Sequence, residues 1–191
     1  GTGIGQFDHP QGIALDEFDN VYVTDTGNHR IQKFDSSGVH IATYGTYGAG
    51  NGELTTPTGI AIDSSGNMYI SEEGNHRIQK WNSSGNYLST IGSIGSAQGQ
   101  LAAPQDVFLD QQGNIYATNY GNNRVEKYDT NGNYVTFFGS LGSGNGQFSS
   151  IWGGVVSTTT GNIFVPDSFY NRVQAFSGVG DPQVTTDSSD T

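Results

Sequence analysis

The 191-residue chain is long enough for one sizeable core or two small ones. Its 29 Gly against 5 Pro, with 12% aromatic residues, argue for many turns between short buried segments rather than for a disordered low-complexity chain. The absence of Cys excludes disulfides and Cys-ligated zinc or iron–sulfur sites. A formal charge of −11, from 7 basic and 18 acidic residues, opposes binding to phosphate backbones and anionic membranes, and no apolar run approaches the roughly 20 residues of a membrane span.

In chain order, the first segment predicts four short strands at about Gly12–Leu15, Asn20–Thr24, Arg30–Phe34 and Val39–Tyr44. Asp16–Asp19, Thr26–Gly27 and Asp35–Gly38 supply the breaks between them. The motif GNHRIQK at Gly27–Lys33 then returns unchanged at Gly74–Lys80, 47 residues on, and Pro10, Pro57 and Pro104 keep the same interval. DSSGN at Asp63–Asn67 and NSSGN at Asn82–Asn86 are turn sequences with Gly placed for positive φ. A fourth copy follows with one extra residue within Ser157–Gly161, so that Arg30, Arg77 and Arg124 are continued by Arg172. The units are 1–47, 48–94, 95–141 and 142–177. The remainder, 178–191, reads as a linker or tail.

A period of 40–50 residues with four strands per unit predicts an all-β fold, a β-propeller of four-stranded antiparallel blades, because one such sheet cannot bury both faces alone. PQGIALDEFDNVYVTDTGNHRIQKFD and PTGIAIDSSGNMYISEEGNHRIQKWN resemble NHL repeats, and GNNRVEKYD and YNRVQAF in the later units resemble them more loosely. The resemblance implies a propeller, most often of six blades. With four blades here, the expectation is a portion of a larger propeller or one completed by another chain.

All seven basic residues fall in the repeated frame: the four Arg in one phase, and Lys33, Lys80 and Lys127 in another. Copies of a residue that recurs once per blade are carried around the ring and do not converge on one substrate. Each Arg is therefore expected to pair within the scaffold, Arg30 with Asp25, Arg77 with Glu72 and Arg172 with Asp167, while Asn119 stands in that phase beside Arg124. His29 and His76 share their phase with Asn123 and Asn171 and read as caps of a tight turn rather than metal ligands. Asp16, Asp63 and Asp110 are expected to bond the amides of their own turns.

Function is expected where the repeats disagree. At the start of the innermost strands stand Gln11, Thr58, Gln105 and Trp152, with Asp106 where the other copies carry Gly. Tyr120, Phe169 and Tyr170 add aromatic surface on the same predicted face. The leading expectation is a non-enzymatic, extracellular or surface-displayed module that binds a protein or glycan across one propeller face. Its open blade edges also suggest a homo-oligomer or filament. The resemblance also implies enzymatic alternatives, an amidating lyase that holds zinc through histidines or a calcium-dependent lactonase. No His occupies the inner-strand positions, so no cofactor is expected, with calcium left open. RNA binding, known for some members of the family, ranks last because every basic residue is committed to the frame.

Overall fold

The computed structural model describes residues 1–178 and the backbone of 184–185. Four antiparallel four-stranded sheets follow one another, each ordered as it runs in the chain. Blade one comprises β1 (Pro10–Leu15), β2 (Val21–Asp25), β3 (Arg30–Phe34) and β4 (His40–Tyr44). Blade two comprises β5 (Pro57–Ile62), β6 (Met68–Glu72), β7 (Arg77–Trp81) and β8 (Tyr87–Ile91). Blade three comprises β9 (Pro104–Leu109), β10 (Ile115–Asn119), β11 (Arg124–Tyr128) and β12 (Tyr134–Phe138). Blade four comprises β13 (Val155–Val156), β14 (Ile163–Asp167), β15 (Arg172–Phe176) and β16 (Val184–Thr185). This is a four-bladed propeller arrangement.

Strands two and four of blade one shift by a single residue at their ends, to Val21–Asp25 and His40–Tyr44, and two differences from the sequence reading are larger. The innermost strands begin at the prolines, two residues earlier than expected, since Pro10, Pro57 and Pro104 each pair with the last residue of strand two across a register shift. Proline lacks an N–H, so the first position of a strand is where a sheet tolerates it. In the segment expected to be a linker, Val184–Thr185 instead pairs with Ala175–Phe176 as the outer strand of blade four. The β-branched pair satisfies backbone groups that the edge of β15 would otherwise leave open; the rest of that tail lies outside the described residues.

Apolar side chains pack between successive blades. Tyr22 and Ile31 of blade one meet Leu54, Ile60, Met68, Ile70 and Trp81 of blade two. Tyr69, Ile78 and Ile91 then meet Val107, Ile115 and Tyr128, and Phe108, Tyr116, Val125 and Phe138 meet Phe148, Ile163, Val165 and Phe176. Leu54, Leu101 and Phe148 enter these layers from the connectors between blades, where each forms a parallel bridge with the start of its loop.

One polar cluster per blade ties the incoming connector to the sheet. Arg30 Nε donates to Asp25 Oδ2 at 2.6 Å, and its terminal nitrogens donate to the carbonyls of Thr2, Gly3 and Gln6. Asp25 Oδ1 accepts the Asp8 amide, and Gln32 spans the Gln6 carbonyl and the Gly5 amide. Blade two repeats the set with Arg77, Glu72 and Gln79 on the connector 48–55. In blade four Arg172 bonds Asp167 and the carbonyls of Ser143, Gly144 and Gln147.

Blade three departs from the expected pairing. Arg124 donates to Glu126, not to Asn119; Asn119 donates to the Gln100 carbonyl, as the Gln does in the other blades, and accepts the Ala102 amide, as the carboxylate does there, while Glu126 accepts the Gly99 amide. Glu126 stands in the phase of Gln32, Gln79 and Gln174, so carboxylate and carboxamide have changed places and each blade keeps one of each. Burial opposes ionisation of Asp25, but the Asp8 amide, Asn28 and Arg30 outweigh it and lower its pKa; at Glu126 burial prevails over Arg124 and raises it.

Arg77→Ala should leave Glu72, which is fully buried, without its cationic partner and remove three hydrogen bonds to connector carbonyls. We expect a loss of about 3–5 kcal/mol in denaturant unfolding, the scale for breaking a buried ion pair from one side. Unchanged stability would rule out the scaffold role.

Candidate functional site

The inner strands of blades one to three and the segment leading into that of blade four converge on a recess of about 410 Å³ lined by Gln11, Gly12, Ile13, Thr58, Gly59, Gln105, Asp106 and Trp152. Five of these are positions singled out because the repeats disagree there: Gln11, Thr58, Gln105, Asp106 and Trp152. Tyr120, in the short 3₁₀ turn after β10, packs against the Trp152 ring with centroids 5.3 Å apart and extends the aromatic wall. Phe169 and Tyr170 pair edge-on with each other and lie outside the recess lining; Tyr170 instead lies beneath the Arg172 guanidinium.

The frame explains why Asp106 sits where the other three blades have Gly. A Cβ on Gly12 would collide with the Thr58 carbonyl, and one on Gly59 with the backbone and carboxyl of Asp106, because the next inner strand presses on each. The neighbour of Asp106 is the Gly153–Gly154 pair of the short-stranded fourth blade, which leaves room for a carboxyl. The side chain accepts the Gly154 amide at 3.2 Å, and its own amide donates to Thr118 Oγ1. Burial pushes the Asp106 carboxyl up to about 7, with the amides of Gly154 and Val107 only partly opposing it. Beside it, Gln105 is buried and its Oε1 has no hydrogen-bond partner. Trp152 remains half exposed, its indole N–H held by Ser150 Oγ.

The other polar residues belong to the frame. His29 and His76 end tight turns in the left-handed region, φ 54° in each case, and accept the amides of Thr56 and Ala103 in the following connector through Nδ1. The sequence reading saw a turn cap; the acceptor role across the blade junction escaped it. The signal was the restriction of this phase to His and Asn, residues that tolerate left-handed backbone and also accept hydrogen bonds. Asp16, Asp63 and Asp110 bond their own turn amides. Burial works against ionisation of Asp16, yet the Asn20 side chain and amide and the Phe18 amide together hold its pKa down to about 2. Lys33, Lys80 and Lys127 lie over Tyr22, Tyr69 and Tyr116. As a donor set for calcium or zinc the recess offers one carboxylate and no imidazole. Among the described residues no three His, Asp or Glu side chains gather.

An NHL repeat model matches residues 7–34 and 54–81. Two of the four blades of this β-propeller thus match the NHL repeat. No curated protein matches the chain. Among solved structures, streptogramin B lyase superposes with a TM-score of 0.69 at 16% identity, over 95% of this chain and 55% of that one. Virginiamycin B lyase from Staphylococcus aureus, in an inactive form with quinupristin, gives 0.70 at 16% identity over 95% and 56%. The structure of a nidogen/laminin complex gives 0.73 at 20% identity over 92% and 64%. At these identities the likeness is one of fold, and the chain spans between about half and two thirds of the length of those proteins.

The Asp106 carboxyl sets a pH signature. Its folded value of about 7 lies above the ordinary 3.8, so between those values the native state binds more protons and stability falls as pH rises; the cost is fully present above pH 7. Asp106→Asn should therefore melt progressively higher than the parent as pH is raised from about 4 to above 7, with no further divergence beyond. A pH-independent difference in Tm would contradict the assigned environment.

Proposed function

We propose that the chain is a non-enzymatic binding module of an extracellular or surface-displayed protein, which takes a protein or glycan ligand on the face where the axial recess opens. The observation that carries this reading is the convergence of Asp106 and the Tyr120–Trp152 pair, residues that break the repeat, with Gln105 on one recess drawn from all four blades. An aromatic wall beside a few polar groups suits a sugar ring or an inserted side chain, because the aromatic surface supplies area while the polar groups fix orientation. The nidogen/laminin structure supports protein binding by this fold.

An enzymatic reading draws on the two lyase structures and on a carboxyl poised near neutrality in a recess. Asp106 is the one titratable group among the described residues that line the recess, so a second acid or base would have to come from the substrate.

The test is a binding screen of glycans and surface proteins against the chain, repeated with Trp152→Ala. Trp152 is exposed on the recess wall, so its truncation should leave Tm nearly unchanged while weakening ligand by about tenfold or more, the scale for an aromatic anchor. Retained affinity would remove the recess from the binding site. Turnover of a bound compound that is lost in Asp106→Asn would replace the binding reading with the enzymatic one.

A further inference from the structure

Two neighbours at the entry to β9 are held without the partner that each requires. The Asp106 carboxyl lies against Gly59 of β5 and the Gly153–Gly154 pair of the fourth blade, and its backbone amide donates to Thr118 of β10; none of these groups is charged. Gln105, only 5% exposed, keeps a buried Oε1 with no hydrogen-bond partner among the described residues. An enclosed acid without a counter-charge and a buried acceptor without a donor both cost stability, so each calls for a reason to be there. Both lacks have the same sign. Each group wants an N–H donor, and the acid wants a positive one.

The basic residues of the frame are engaged elsewhere. The four Arg bond frame carboxylates and connector carbonyls, while Lys33, Lys80 and Lys127 lie over tyrosines, the first two beside Asp16 and Asp63 in the turns after the inner strands. Among the described residues no Lys, Arg or His lines the recess. What does line it, beside the two acceptors, is aromatic: Trp152 is 53% exposed, with its indole N–H taken by Ser150 and its ring tilted against Tyr120. An aromatic face attracts a cation.

We infer that the recess takes an organic cation bearing N–H groups, the ammonium of a lysine or the guanidinium of an arginine presented by a partner protein, which pairs with Asp106 and lies over the Trp152 ring beside Gln105 Oε1. The inference rests on the recess being the binding site, and it chooses a protein over a glycan. A neutral sugar brings no charge to the Asp106 carboxylate, whereas a basic side chain satisfies the acid, the ring and the carboxamide oxygen together. The formal charge of −11 also draws a basic partner toward the chain.

The probes are Nα-acetyl-lysine N-methylamide, its Nε-acetylated form, the arginine counterpart and methyl glucoside, each titrated into the whole chain and read by tryptophan fluorescence. Of the two Trp residues Trp81 is fully buried and Trp152 is exposed, so the response reports on the recess wall. At least one cationic probe should bind about tenfold or more tighter than the acetylated form and the glucoside, and Asp106→Asn should weaken it by about tenfold or more, the scale of one charge-assisted hydrogen bond. The tighter of the two cationic probes identifies the side chain. Affinity should also rise between about pH 5 and pH 8 as Asp106 ionises, because both cations keep their charge over that range and the groups facing Asp106 do not titrate. Equal binding of the acetylated probe, tighter binding of the glucoside, or cation binding that Asp106→Asn retains overturns the inference while leaving the recess as the binding site. Silence from both cationic probes overturns it as well, and a screened ligand that still depends on Trp152 then separates this failure from failure of the recess itself.

Discussion

The molecule depends on how each blade holds the connector that enters it. A connector of a propeller crosses from the outer strand of one sheet to the inner strand of the next, and its carbonyls and amides have no ladder to join. Here a guanidinium, a carboxylate and a carboxamide from strands two and three satisfy them: the Arg takes the carbonyls, the acid takes an amide and the Arg, and the carboxamide bridges the remainder. Three buried polar side chains are tolerable because nearly every donor and acceptor in the set is used. The blade stack follows, since the connector held in this way also delivers Leu54, Leu101 or Phe148 into the apolar layer between sheets.

Because the scaffold consumes the recurring polar residues, chemistry is left to positions where a blade departs from its siblings. Those positions meet at the axis. The space that admits the Asp106 carboxyl is a consequence of the fourth blade's irregular entry, where Gly153 and Gly154 replace a full inner strand. The same irregularity leaves Trp152 free to lie against Tyr120. The recess is thus a product of imperfect repetition.

The period, the four-strand unit and most strand positions were legible in the sequence because turn residues and alternating apolar positions recur in phase. Three of the four Arg partners were legible for the same reason. Arg124 was not, because its acid moved seven residues along the chain to Glu126, and only reading the Gln32, Gln79, Gln174 phase beside the Asp25, Glu72, Asp167 phase reveals the exchange. The outer strand of blade four was hidden by its surroundings: a two-residue ladder amid Gly, Asp, Pro and Ser carries almost no periodic signal. Of the face residues, those at the entry to the innermost strands converge because each such strand stands next to the axis, although Gln11, Thr58 and Gln105 fall where the ladder shifts register and Trp152 precedes its strand. Phe169 and Tyr170 sit in a loop, where phase gives no direction, and the structure turns them toward each other and Arg172.

The most direct test is a double-mutant cycle in blade three. Asn119→Asp alone sets two buried carboxylates beside one guanidinium, and Glu126→Gln alone removes the charge that Arg124 needs. Together the two substitutions recreate the Asp and Gln arrangement of blades one and four. If one carboxylate and one carboxamide per blade is the requirement, each single variant is destabilised and the double recovers most of the loss, with a coupling on the order of 1–3 kcal/mol in denaturant unfolding. Additive losses in the double variant would contradict the account, and the repeated residues would need a role other than holding the connectors.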